Sequence, residues 1–140
     1  MKLFFDANIL VSVLNKEYPL FTYTSRILSL VDRKEYSVFT SPICLAIVFY
    51  FAEKKFKNKL ARQKIKTLCE HISIADVTEA VVKKTVNNTA IHDFEDGLEY
   101  YSALAVRCDC IITEDKDDFY FSDIEVLDSR SFFERYLAIK

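Results

Sequence analysis

Five short β-prone segments alternate with longer helical stretches along this 140-residue chain, and no other feature constrains its fold as much. The strand signals fall at residues 2–5, 36–40, 72–75, 110–113 and 125–127. A helix between two strands carries the chain back to the starting end of the sheet, so successive strands run parallel. The fold class predicted is α/β, with a central, mainly parallel sheet of four or five strands. At 140 residues, with no repeat, linker or low-complexity tract, the chain reads as one domain.

Helix signals fit between those strands. Ser41 and Pro42 supply an N-cap and a first-turn proline for a helix that carries the apolar run Ile43 to Ala52. A second helix is predicted over residues 58–71, with Leu60, Ile65, Leu68 and Ile72 as its apolar stripe. Thr78 caps a helix to about residue 87, and Asp93 caps one over 94–107, where Phe94, Leu98, Tyr101 and Ala105 form the apolar row, away from Asp96, Tyr100 and Ala103. Ser131 and Glu134 have capping-box spacing. Phe49, Tyr50 and Phe51 read as core.

Composition removes several function classes. Gly97 is the only glycine, so the chain has neither of the glycine-rich loops that cradle nucleotide phosphates. The ten-residue apolar run is too short to span a bilayer, and the start of the chain lacks a secretory pattern, so a cytoplasmic protein without membrane contact is expected. Cys44, Cys69, Cys108 and Cys110 read as buried free thiols. Net charge is −2, but its distribution is uneven. Seven bases and no acid lie between Lys54 and Lys66, whereas eight acids face only Lys116 between Asp109 and Asp128. Lys54, Lys55, Lys57 and Arg62 are candidates for RNA-backbone contact, or simply a solvated helix face.

Asp6 directly follows the first strand and Asp115 lies just beyond the fourth, which puts both at the carboxyl edge of a parallel sheet, where α/β proteins bind ligands. Asp93 and Asp96 start a helix that begins near the same edge. Each has a plainer reading as a turn or capping residue, and Asp115, Asp117 and Asp118 together form a loop in which only one or two can be ligands. Converging carboxylates repel one another unless cations neutralise them, and oxygen donors with few His or Cys suit Mg²⁺ or Mn²⁺. With only His71 and His92 present, and His92 read as structural, hydrolysis would rely on metal-activated water. Asn8 is either a ligand-orienting side chain or the N-cap of a helix over residues 9–14. An aspartyl phosphohydrolase would be expected to carry Asp at position 8, where Asn8 stands.

Taken in order, FFDANIL, TSPICLA, DFEDGLEYYSALAVRCDCIIT and EDKDDF resemble the motifs of a PIN domain across nearly the whole chain. The resemblance implies a three-layer α/β/α fold and an acidic pocket that holds Mg²⁺ or Mn²⁺ for cleavage of RNA phosphodiester bonds. It places Asp6, Asp96 and Asp115 on the family's catalytic and metal-binding acids, with Asp93 and Asp118 as further candidate ligands and Asn8 and Thr113 in support. It also implies the partners of VapC-type toxins: an RNA substrate, an antitoxin and a second copy of the chain. One departure stands out. The family's second acid, in the helix after Ser41-Pro42, is replaced by Ile47 in the sequence Ala46-Ile47-Val48. Six residues of helical rotation keep Glu53 from taking its place, while Asp93 or Glu95 could compensate from the opposing helix. Two functions are therefore set against each other: a metal-dependent ribonuclease, and a PIN-like module that binds RNA or protein without turnover.

Overall fold

The structure is a computed structural model and describes residues 1–138. Five strands, β1 (Lys2–Phe5), β2 (Ser37–Thr40), β3 (Ser73–Ile74), β4 (Cys110–Ile112) and β5 (Glu125–Leu127), form one sheet in the order β3-β2-β1-β4-β5. All neighbouring strands pair in parallel. Helices α1 (Ala7–Leu14), α2 (Phe21–Leu28), α3 (Pro42–His71), α4 (Glu79–Asn87), α5 (Phe94–Ala105) and α6 (Ser129–Phe132) flank it in the three-layer α/β/α arrangement. β1 is central because Leu3, Phe4 and Phe5 are all apolar, as a strand covered on both faces requires, and all three are fully buried.

The strand order locates the crevice. From β1 the chain moves outward to β2 and β3, then crosses back through α4 and α5 to β4 on the other side of β1. The order reverses between β1 and β4, and at such a switch point the connections leaving two adjacent strands diverge and open a cleft at their carboxyl ends. Leu3, Phe4 and Phe5 pair with Cys110, Ile111 and Ile112, which brings the residues after each strand side by side.

Several local expectations change. The N-cap of α1 is Asp6, whose side chain accepts from the Ala7 N–H, so Asn8 lies inside the helix. Asp128, accepting from the Ser131 N–H, caps the last helix, and Glu134 pairs with Arg130. The two helices expected over 41–71 run on as α3, broken at Lys57, where φ is 64°. α2 occupies a stretch where no helix was expected, and no side chain caps it. On α5 the apolar row divides: Leu98 is buried, but Phe94 and Ala105 are exposed, while Tyr100 and Ala103 from the row of Asp96 are buried. Tyr50 and Phe51 are exposed rather than core, and Cys69 is the one exposed thiol.

Gly97 permits the close contact between α4 and α5. A Cβ at this position would lie 2.5 Å from Thr85 Cγ2 and 2.9 Å from Ile91 Cγ2. Thr85 cannot turn aside cheaply, because its hydroxyl donates to the Val81 carbonyl at 2.9 Å. Alanine would gain about 1 kcal/mol of helix propensity, but overpacking costs roughly 1–3 kcal/mol. Gly97→Ala is expected to destabilise the protein by about 1 kcal/mol on balance, read as a lower urea midpoint at unchanged slope.

Candidate active site

Asp6 is held where strand becomes helix. Its backbone N–H makes the next ladder bond, to the Ile112 carbonyl at 3.0 Å, and one carboxylate oxygen caps α1 by accepting from the Ala7 N–H at 2.6 Å. Its other oxygen accepts from Thr113 Oγ1 at 2.7 Å. Thr113, fully buried, also accepts from Asn8 Nδ2 and from the Asp115 N–H, each at 3.1 Å. One donor and two acceptors exhaust a hydroxyl, so Thr113 has a single hydrogen-bonding arrangement and fixes the carboxylate of Asp6. The amide of Asn8 completes the link between the two strand ends. It donates to Asp115 Oδ2 at 3.2 Å and accepts from the Glu114 N–H at 3.2 Å.

The third side of the site is the first turns of α5. Asp93 caps the helix by accepting from the Asp96 N–H at 3.1 Å, so the capping reading holds, and Asp93 lines the cleft as well. Asp96, one turn on, is partly buried. Burial first, then the charges of Asp93, Asp6, Asp118 and Glu95, push its carboxyl up to about 7. Burial, with Asp93 and Asp6, raises Glu95 in the same direction.

These groups open onto one cleft of about 450 Å³. Asp6, Asn8, Asp93, Asp96, Asp115 and Asp118 all line it, whereas Thr113 supports it from below. Nine acids face the cleft, with Glu17, Glu95, Glu99 and Glu114 added to the aspartates, and no Lys, Arg or His lines it. None of the nine is in an ion pair among the described residues. Ile47, on α3, faces the same space.

Asp117 and His92 do not line the cleft. Nor do Lys54, Lys55, Lys57 and Arg62, all exposed on α3. Lys54 stacks over Tyr50, its ammonium 4.2 Å from the ring centroid, beside Phe51 at the cleft wall. Lys55 donates to the Asn15 carbonyl, and Arg62 to Asn58 Oδ1 at 3.0 Å.

Glu99 was not singled out from the sequence. It is 1% exposed, and Cys44 Sγ donates to its Oε1 at 2.7 Å. Burial first, then Cys44 and Asp6, drives the Glu99 carboxyl far above the usual range. Ligand atoms of Asp6, Cys44 and Glu99 all lie within 4.8 Å of one another. The available signal was an acid inside the apolar stretch Gly97 to Leu104, one turn after Asp96.

The model of the family described as "PIN domain" matches residues 2–117. The chain belongs to the PIN domain family. It is 29% identical over 139 residues to Ribonuclease VapC1 of Aquifex aeolicus, covering 96% of this chain and 95% of that protein. The fold matches VapBC-1 from nontypeable Haemophilus influenzae with a TM-score of 0.69 and 18% identity, over 93% of this chain and 99% of the other. It also matches Mycobacterium tuberculosis VapC20, described as a sarcin-ricin loop cleaving toxin, with a TM-score of 0.66 and 14% identity, over 88% and 98% of the two chains. Among the described residues, no helix is long and apolar enough to cross a membrane.

Proposed function

We propose that this PIN domain is a divalent-metal-dependent ribonuclease, the toxin of a toxin-antitoxin pair, and that it cleaves RNA phosphodiester bonds at the acidic cleft. One observation carries the reading: nine acids from several segments face one cleft with no cationic side chain among them. The donor set fits Mg²⁺ or Mn²⁺, which favour carboxylate oxygens, and a cation would offset the repulsion that the protein leaves unpaired. Asp6, Asp96 and Asp115 would hold it, with Asp93 and Asp118 within the same cleft. A divalent ion there supplies Lewis-acid polarisation of the phosphate and a lowered pKa for its water.

The chain's own residues do the positioning. Thr113 and the Ala7 N–H aim the Asp6 carboxylate, and Asn8 ties Asp115 to the same frame. Phe51 walls the cleft below Lys54, so the basic stretch of α3 starts at its rim and would draw in the RNA backbone. Each phosphate so neutralised adds about −0.7 to the salt slope for a single strand. The ribonuclease name of the Aquifex aeolicus relative and the VapBC-1 neighbour support the activity and an antitoxin partner; the cytoplasm is the matching compartment.

Ile47 at the cleft wall favours a second reading, a binding module without turnover. Labelled single-stranded RNA incubated with the purified protein and Mn²⁺, Mg²⁺ or EDTA separates the two. Cleavage is expected with either metal and none in EDTA. RNA retained but uncut at every metal concentration would establish the binding module instead.

A further inference from the structure

The cleft lacks an acid on α3 and has an extra one on α5. Ile47 faces the cleft from α3, where the PIN pattern carries its second acid. Across from it, the N-cap Asp93, then Asp96 and Glu99 follow one another at three-residue spacing through the first turns of α5, and all three line the cleft. Glu99 is the innermost, at 1% exposure against the exposed Asp93. Packing does not explain it, because an apolar side chain would fill that depth without desolvating a carboxyl. Nor does ion pairing, since its neighbours are a thiol and another carboxylate.

We infer that Glu99 supplies from α5 the metal-binding carboxylate that Ile47 removes from α3, so that the acid has changed helices while staying at the same cleft. The Asp6 and Glu99 carboxylate oxygens lie within 4.8 Å of each other, close enough to share a single ion. Cys44 is a positioning residue: its thiol holds Glu99 Oε1 from the first turn of α3. The inference rests on the metal-dependent reading above, and its test separates the two.

Mn²⁺ alone is titrated calorimetrically into the full chain, into Glu99→Gln and into the swap Glu99→Gln/Ile47→Glu. A melt in EDTA first shows each variant folded. Gln keeps the shape of the side chain and can still accept from Cys44. Expected are Mn²⁺ binding by the unmodified chain, a loss of about tenfold or more in Glu99→Gln, and recovery to within a few-fold in the swap. Unchanged Mn²⁺ affinity in Glu99→Gln overturns the inference and leaves the metal-dependent reading standing. A loss that the folded swap does not repair also overturns it, by giving Glu99 a packing role. No Mn²⁺ binding by the unmodified chain removes the metal-dependent reading and the inference with it.

Discussion

Asp6→Asn is expected to reduce metal-dependent RNA cleavage about a thousandfold, the equivalent of roughly 4 kcal/mol of transition-state stabilisation. The fold is expected to survive. Asn is as good an N-cap as Asp, so α1 keeps its start. What is lost is capacity: the carboxylate accepts from the Ala7 N–H with one oxygen and from the Thr113 hydroxyl with the other. An amide has one acceptor oxygen, and its N–H₂ would meet a Thr113 oxygen whose lone pairs already take Asn8 and the Asp115 N–H. One hydrogen bond, worth about 1 kcal/mol, goes, while repulsion with Asp96 is relieved. The melting temperature in EDTA is therefore expected to move by only a few degrees while cleavage disappears. Cleavage by Asp6→Asn within about tenfold of the unmodified rate would remove Asp6 from the catalytic set and point to a different centre or a contaminating nuclease.

The central strands were legible because Leu3 to Phe5 of β1 and all of β4 are buried, each a compact apolar run that ends at a polar residue, whereas β3 and the start of β5 are exposed. Asp6, Asp96 and Asp115 were legible for a related reason, since parallel strands and the helices leaving them deliver their terminal residues to one edge. α2 was not legible: its segment carries Thr22 and Thr24, and Leu20 at its N-cap makes no side-chain bond, so no local signal marks its start. That Asp6 and not the expected Asn8 caps α1 was not legible locally either. The two residues are both good caps, and the last ladder bond from Asp6 to Ile112 decides between them. On α5 a single apolar row was the wrong template, because α4 closes on Gly97 while the cleft takes Asp93, Asp96 and Glu99. Glu99 falls in neither of the rows read along this helix, so nothing in that template marked it. Phe51 misled in the opposite sense, since it walls an acidic cleft and not the core.

Replacing Glu99 with Gln is expected to make the metal-free protein more stable, and more so as pH rises. The Glu99 carboxyl is raised by burial first and then by Cys44 and Asp6, from an ordinary value of 4.5. An acid whose folded value is raised takes up a proton on folding, so its full stability is present below about 4.5 and is lost progressively as pH climbs. From there to pH 7 the loss accumulates to about 3 kcal/mol. Gln does not titrate; it can accept from Cys44 and donate to Asp6, so it escapes this cost while filling the same space. In EDTA its melting temperature is expected to exceed that of the unmodified chain by roughly 10 °C at pH 7, with the gap closing towards pH 4.5. Asp96, raised to about 7, contributes in the same direction, but its partial exposure to solvent weakens the effect. A gap that stays constant with pH, or a less stable Gln variant at pH 7, would show that Glu99 is charged and well accommodated in the metal-free fold. With saturating Mn²⁺ the gap is expected to narrow by about 1.4 kcal/mol for each tenfold by which Glu99→Gln weakens binding, because a cation bound through Glu99 stabilises the chain that retains it more. A residue that weakens the empty fold and tightens ion binding is retained for what it binds, and both halves of that statement can be read from the same melting curves.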